Sequence, residues 1–519
     1  VIVETDYVKV LDTVAEMVAD TSLVVGQTVR TLGYNSAGDG GGNDYEIVAA
    51  ATGTDDGGTF IDLNTHQAQG LFPNGISVRH FGAVGDGVTD DTAAIQAAID
   101  NAPLGSTVFF PAGNYSVTSQ STYVFTLTRY VSLQGESGRA TLRGDSVSST
   151  TSMFGIAMSD NGGNLDVRNW SMDSLRMFFN GGGKHSVEIY GGFPLISSSI
   201  RNCTLTANPV NGGHSFYVSD SLNWAHCLFE LNTCSSTIYL KCGDANVFTK
   251  NNVFPAQNGF AFTFDIENGV RNNTVSDNTL VGRDGALHII NGSEIRFLNN
   301  QVEQNQAYGA NTSVPASSVY IEGLTRISTN IVIENNNFGG GTNVDYSIYL
   351  DNAQACVITK NNFVSCDIDD IYCTALSKFN VFKFDNNVYT TTSNPRTDEQ
   401  FKCQITTLSS YNINMPVTLV GQNGWGNNEA YKDELGYIHF TGVTAGGTGT
   451  AGTIVYYLPV GMRGYHTIQN FSTVDSTGAL AAFKSTGTNG QIQVLATLPS
   501  NAGLFLPPVI QTVKYSLDF

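Results

Sequence analysis

The sequence predicts an all-β chain: a right-handed single-stranded parallel β-helix with a small N-terminal domain and a C-terminal β-sandwich. Three observations carry this prediction: a repeat near 25 residues through the middle of the chain, a composition suited to strands and polar turns, and a change of texture at both ends. The chain has 519 residues, above the size of one compact domain, so either several domains or one repetitive stack is expected. Glycine is frequent at 55 residues and charged residues are few at 13%, while only 13 prolines argue against a disordered chain. The 22 Tyr and 29 Phe suit strands, and the many Asn, Thr and Ser suit the turns between them.

The repeat runs from about Leu165 to Tyr389. Its mark is a polar residue and one or two Asn, or a close variant, followed by an apolar residue. Instances are Asn169-Trp170, Asn202-Cys203, His226-Cys227, Asn251-Asn252, Asp277-Asn278, Asn299-Asn300, Asn335-Asn336, Asn361-Asn362 and Asn386-Asn387. From Cys203 onward the spacings are 24, 25, 26, 22, 36, 26 and 25. The long interval holds an insertion at Gln306–Ser317, and the earlier one of 33 residues holds Asn180–His185. Three short strands with polar turns every 25 residues or so make one coil of a parallel β-helix. Asn recurs because it tolerates left-handed turn geometry and bonds its counterpart in the next coil. Cys203 and Cys227 fall one spacing apart, as members of an internal stack would.

The flanks differ. Residues 1–75 read as a small head or connector domain, with a helix expected over Val10–Ala19 and a loop at Gly38–Gly42. Residues 76–412 form the expected β-helix. Thr89-Asp90-Asp91-Thr92 supplies the cap of a short helix with Ala94, Ile95, Ala98 and Ile99 on one face. Residues 413–519, with short strands and glycine turns, are the expected sandwich, for trimerisation or carbohydrate binding.

The net charge of −20 argues against a nucleic-acid groove. No apolar run is long enough for a membrane span, and the first residues lack a basic-then-apolar leader pattern. A sequence starting at Val1 suggests a processed or shortened chain. The eight Cys have no CxxC pair or metal-ligand spacing and read as buried side chains made in a reducing cytoplasm. Asp86, Asp90 and Asp91 read as turn and cap residues rather than a metal loop; no metal and no cofactor is expected.

The run Val78–Asp100 resembles the motif that opens the coil stack in the pectate-lyase-like β-helix superfamily, common in bacteriophage tailspikes. Thr28–Ile47 resembles a small domain preceding the β-helix in many tailspikes. The NGW at 423–425, LGYIHF at 435–440 and LPVGMRG at 458–464 look like the C-terminal domain of phage tail fibres. Together these resemblances imply a homotrimer on the virion tail, assembled in the host cytoplasm and joined through its N-terminal region to a tail or baseplate protein. They also imply a bacterial surface polysaccharide, O-antigen or capsule, as target. The superfamily contains both hydrolases and lyases, so the motif marks the fold and not the reaction.

One strand of each coil aligns ahead of its turn. Side chains alternate along a strand. If Ile238 and Leu240, Phe262 and Phe264, Leu287 and Ile289, Val319 and Ile321, and Ile348 and Leu350 face inward, the outer face carries Tyr239, Lys241, Asp265, Glu267, His288, Tyr320, Glu322, Tyr349, Asp351 and Tyr372. Aromatic rings pack on the C–H faces of sugars and carboxylates bond their hydroxyls. Hydrolysis of a glycosidic bond needs two carboxyl groups. Asp265 with Glu267 lies along one strand, about 6.6 Å apart, near the inverting separation. Glu322 with Asp351 lies on neighbouring coils, about 4.8 Å apart, nearer the retaining one. The expected order is Asp265 and Glu267, then Glu322, then Asp351, with Asp244, Glu230 and Glu303 in reserve. Tyr239, Lys241, His288, Tyr320 and Tyr349 are the expected substrate-binding residues. Two alternatives stay open: β-elimination with Lys241, His288, Tyr239 or Tyr320 as base or neutralising group, and a glycan-binding adhesin without catalysis.

Overall fold

A computed structural model describes residues 8–389, apart from 74, 120, 159–166, 180–181, 193–194, 209, 211, 220–223, 256–258, 266–270, 283, 305–315, 340–343, 365, 367–368, 375, 378–379 and 384–387, and, further on, only strands within 417–505. Two compact units divide at Val319/Tyr320.

The first unit opens with a five-stranded sheet. Its strand order is Lys9–Leu11, Thr28–Thr31, Asp44–Ala49, His66–Gly70, Phe60–Asp62. Val14, Met17, Val29, Tyr45, Ile47 and Ile61 form its core. The helix expected from Val10 begins only at Val14 and ends at Ala19. Val10 instead pairs with Arg30 in a parallel ladder, because β-branched residues there complete the sheet edge. Thr13 caps the helix, its hydroxyl accepting from the Glu16 N–H at 3.2 Å. The glycine cluster wraps the Asp39 carboxylate, which accepts from the N–H groups of Tyr34, Asn35, Ser36 and Gly41. Gly41 has no room for a side chain: a Cβ would lie 2.4 Å from the Arg79 carbonyl. Arg79 donates to the carbonyls of Asp39 and Ala112, tying this sheet to the first coil.

The short helix Thr92–Asn101 buries Ile95, Ala98 and Ile99. Gln96 holds it to the strand Tyr123–Leu127, donating to the Thr126 carbonyl and accepting from its N–H, both at 3.0 Å. Asp91 stands at its N-cap position but makes no cap bond. Asp91 is itself buried, and its carboxylate turns back to the N–H groups of Val84 and Gly85, at 2.6 and 3.0 Å, which supply the donors a buried carboxylate needs. Asp90 accepts from the Thr92 N–H instead.

The coils follow, with parallel pairing between successive turns. The strands Leu228–Glu230, Thr233–Cys234 and Ile238–Leu240 form one turn. They pair in register with Val247–Thr249, Asn252–Val253 and Phe260–Asp265 in the next. The parallel connections give the right-handed β-helix. Phe216, Phe229, Phe248, Phe262 and Phe264 are fully buried and fill the interior with rings in tilted and edge-to-face contact.

The repeat signature serves two different corners of the coil. At one corner, Asn202, Leu231, Lys250, Asp277 and Asn299 adopt positive φ. The residue after each points inward, and Cys203, Asn232, Asn251, Asn278 and Asn300 form a ladder: the carbonyl oxygen of each Asn accepts from the backbone N–H one coil before it. At the other corner, His226, Ala245 and Asn272 have positive φ, and Cys227, Asn246 and Asn273 form the second ladder. Cys203 and Cys227 therefore head different ladders, contrary to the single stack expected. The 24-residue interval between them measured from one corner to the other, and a 25-residue spacing blurs the difference. Among the described residues seven cysteines are buried.

The second unit repeats these features in its own coils, with Asn336 bonded to Asn361 and Cys356 to Asn380. Further on it holds a three-stranded and a six-stranded antiparallel sheet within 417–505. The NGW and LPVGMRG segments lie outside the described residues.

The ladder makes a sharp prediction. Asn278→Ala removes the partner of the Asn251 backbone N–H, of one of the two Asn251 amide hydrogens and of the Phe248 carbonyl inside the coil, the other amide hydrogen keeping the Phe229 carbonyl. Each buried orphan costs about 1–3 kcal/mol, so the guanidinium midpoint falls clearly. Lys250→Asn keeps a residue that accepts positive φ and loses one exposed ion pair to Glu230, a loss within about 1 kcal/mol. Equal losses in the two variants contradict the ladder's role.

Candidate functional site

The inward half of the expected alternation is observed: Ile238, Leu240, Phe262, Phe264, Leu287, Ile289, Val319, Ile321, Ile348 and Leu350 are fully buried. The outward side chains fall into two clusters, one in each unit.

In the first unit, the paired strands bring Glu188, Tyr217, Tyr239, Thr263 and His288 into one column. The Tyr239 hydroxyl donates to Asp265 Oδ2 at 2.5 Å. Lys241 lies in the bend just after the strand Ile238–Leu240, its N–H bonded to the Val218 carbonyl at 2.9 Å. His288 packs on Phe260 with centroids 4.8 Å apart. The position opposite Asp265 in the next coil is Ile290, so the carboxylate column stops there. Glu267 and the insertion at 306–315 lie outside the described residues.

In the second unit, the Tyr320 hydroxyl donates to Glu322 Oε2 at 2.8 Å. The Gly323 N–H donates to the Asp351 carbonyl at 2.9 Å, which sets the Glu322 strand beside the Asp351 strand. Asp351 Oδ1 accepts from the Thr374 hydroxyl at 2.8 Å. Tyr349 stacks on Tyr372 at 4.9 Å and meets Tyr346 at 5.2 Å and Tyr320 at 5.6 Å. Burial raises the Tyr320 phenol above its ordinary pKa, and the bond to Glu322 and the charges of Glu322 and Asp351 add to this. Tyr349 is pushed up to about 12, first by burial and then by Tyr372 and Asp351. Both phenols stay protonated as donors. Tyr320 is only 6% exposed, so the half-buried Tyr349 presents more ring to a ligand.

Two of the reserve carboxylates are ion-paired and the third lies on another sheet. Asp244 pairs with Arg271 at 3.3 Å and Glu230 with Lys250 at 3.0 Å, both between coils. Glu303 sits in the strand Gln301–Gln304 of a different sheet. Among the described residues no group of three His, Cys, Asp or Glu is arranged to hold a metal ion.

Sequence reasoning missed the earlier coils of the same face, because the alignment began at Ile238. His185, His214, Tyr217 and Tyr239 form a continuous ring stack, with centroids 4.6 Å apart for His185–Tyr217 and 4.8 Å for His214–Tyr239. Glu188 and Tyr190 lie further back on the same sheet. The alternation in Val187-Glu188-Ile189 and Phe216-Tyr217-Val218 is the signal that finds them.

Residues 75–311, just under half the chain, match the family model described as rhamnogalacturonase A/epimerase, pectate lyase-like. The matched region is thus similar to pectate-lyase-like β-helices, in keeping with the coils described above. Mannuronan C5-epimerase AlgE1 of Azotobacter vinelandii is 64% identical over 44 residues, 8% of this chain and 3% of that protein. Alginate lyase 7 of the same organism is 59% identical over 44 residues, 8% of this chain and 5% of its own length. The chain thus spans only a small part of these relatives. Solved structures with similarity include the tailspike gp49 of Acinetobacter baumannii bacteriophage Fri1, a capsular polysaccharide depolymerase, at 12% identity and TM-score 0.47, covering 96% of this chain and 97% of that one. Tailspike protein 2 of bacteriophage CBA120 is 13% identical with TM-score 0.47, covering 96% and 82%.

Burial holds the imidazoles of His80, His185 and His214 neutral. His185, 1% exposed, is driven down to about 2 by burial and then by His214 and Lys184. His214 falls to about 4 by burial and then Lys184, and His80 to about 4 by burial. A free imidazole takes its proton near pH 6.5, so below that pH the unfolded chain binds more protons than the fold. The stability these rings contribute is therefore whole above about pH 6.5 and is lost as pH falls through 6.5 towards 4 and below. His185 Nε2 and His214 Nδ1 are also buried without a hydrogen-bond partner. Replacing both with Phe keeps the stack and removes the titration. The melting temperature of this variant should fall less between pH 6.5 and 4 than that of the wild type; parallel curves contradict the assignment.

Proposed function

We propose that the protein is a phage tailspike subunit that binds and shortens a bacterial surface polysaccharide by hydrolysis, with Glu322 and Asp351 as the paired carboxyl groups. The observation that carries this reading is their position on neighbouring coils beside the Tyr346, Tyr349 and Tyr372 cluster. Neighbouring strands lie about 4.8 Å apart, close to the separation of roughly 5 Å used by retaining glycosidases. One carboxyl donates its proton to the leaving oxygen while the other attacks the anomeric carbon, and water then releases the sugar. Tyr320 and Thr374 hold the two groups by hydrogen bonds, and the Tyr349–Tyr372 stack offers a ring to the sugar face. Asp265 with Glu267 remains the second pair in this proposal.

The pectate-lyase-like match supports a glycan-acting site. The resemblances in the opening, N-terminal and C-terminal motifs support the tailspike reading. A homotrimer, attachment through residues 1–75, a coil domain over 76–412 and a trimerising or carbohydrate-binding 413–519 belong to it. So does placement on the virion tail at the bacterial surface. A trimer has a physical motive in the long coil flank, which side-by-side packing buries.

A second reading, β-elimination, is favoured by the first cluster. There the Tyr239 phenol lies 2.5 Å from Asp265, with Lys241 two residues further along the chain and His288 one coil beyond Thr263. Tyr239 or His288 would take the proton next to a uronate carboxylate and Lys241 would neutralise that carboxylate. The two readings separate by mutation. Under hydrolysis, Glu322→Gln and Asp351→Asn each lower kcat for shortening a purified host polysaccharide by about 10³-fold or more, in keeping with loss of a group acting in the transition state. Lys241→Met then changes kcat by less than about tenfold. The reverse pattern supports elimination, and retained binding with no shortening by the wild type supports an adhesin.

A further inference from the structure

The earliest coils of the first unit carry a second built feature on the same sheet as Tyr239. The strand Val187–Gly192 pairs with Ser152–Met158, and the register slips by one residue at Tyr190: Ile156 faces Ile189, but Ala157 faces Gly191. Such a bulge is uncommon between parallel strands and re-aims the extra side chain. The re-aimed ring of Tyr190 stacks on Tyr123, with centroids 4.4 Å apart and planes 20° from parallel. Tyr123 reaches it by leaning across the neighbouring strand at Gly155, where any Cβ would lie 2.4 Å from the Tyr123 ring. Two departures from regular coil geometry, a bulge and a missing side chain, thus serve one pair of rings.

A carboxylate is fixed beside them. Glu188 Oε2 accepts from the Ser152 hydroxyl at 2.8 Å, and burial and then the nearby Glu188 charge hold the Tyr123 phenol above its ordinary pKa. Tyr123, Tyr190 and Glu188 are each partly exposed, so the rings and the acceptor remain open to solvent on one side. A plain packing role explains a buried ring pair. It does not explain a half-exposed pair that needs a bulge and a glycine to form.

We propose that Tyr190, Tyr123 and Glu188 form a distal sugar-binding subsite for an uncharged pyranose of the glycan. The Tyr190 face takes the apolar C–H side of the ring and Glu188 accepts from its hydroxyls. The residues that build the subsite supply a carboxylate and no cation, so a uronate is disfavoured there. From the Tyr190 strand to the Asp265 strand there are three strand steps, about 14 Å along the coil axis. The subsite therefore grips a sugar several positions away from that cluster, and it favours long chains over short ones. This inference rests on the glycan-shortening reading above.

The test uses the full chain and a panel of purified O-chain and capsular polysaccharides, from which the polymer shortened by the wild type is taken. Tyr190→Ala should raise KM for that polymer about fivefold to tenfold, the worth of one aromatic platform, with a smaller change in kcat. Tyr190→Phe should restore KM. In a Glu322→Gln/Asp351→Asn background, calorimetric titration with the same polymer should show the same loss of affinity, which reads binding independently of the reaction. An unchanged KM and affinity in Tyr190→Ala, with wild-type shortening intact and the melting temperature preserved, overturns the subsite and leaves the function standing. A wild type that shortens and binds none of the panel overturns the function, and the subsite with it.

Discussion

The buried hydrogen bond from an Asn side chain in one coil to the backbone of the coil before it is the constraint on which the structure depends. A parallel β-helix turns its chain sharply several times per coil, and each turn withdraws backbone N–H groups from the sheet ladders. Asn232, Asn251, Asn278 and Asn300 replace the missing partners inside the molecule. The residue ahead of each, such as Lys250 or Asp277, takes the positive φ that makes the corner. With the corners fixed, successive strands stay in register, and a residue type at one height recurs above itself in the next coil. Columns of side chains on the outer face follow from that register.

Much of this was legible. Alternation in Ile238-Tyr239-Leu240 and its counterparts identified the inward residues, because a strand with one buried face leaves no other way to read it. The Asn repeat announced the coil. What the spacing hid was that the coil has two corners with the same chemistry, so Cys203 and Cys227 looked like members of one stack. The helix boundary at Val14 was missed because Val10 and Leu11 fit an amphipathic helix as well as an edge strand. The Tyr123–Tyr190 pair was beyond reach. A register slip between parallel strands and a ring crossing a glycine are tertiary events, and Gly155 in sequence is only one glycine among 55.

The chemistry follows from what the columns hold. Tyrosines recur next to carboxylates: Tyr239 with Asp265, Tyr320 with Glu322, Tyr123 with Glu188. Burial holds the Tyr320 and Tyr123 phenols above their ordinary pKa, so these two stay donors, and a carboxylate bonded through one oxygen keeps the second for another partner. Such pairs suit hydroxyl-rich ligands, which offer both donors and acceptors next to apolar ring faces. Buried neutral imidazoles at His185 and His214 add ring surface without adding charge.

The central claim is that the protein cuts a surface glycan with water through paired carboxylates. It is tested most directly by the products. Purified surface polysaccharides from candidate hosts are digested, and the fragments are weighed by mass spectrometry and scanned in the ultraviolet. Hydrolysis yields fragments that each gain one water and do not absorb. Fragments that absorb and carry no added water contradict it and assign the reaction to elimination; polymers left at full length contradict catalysis itself.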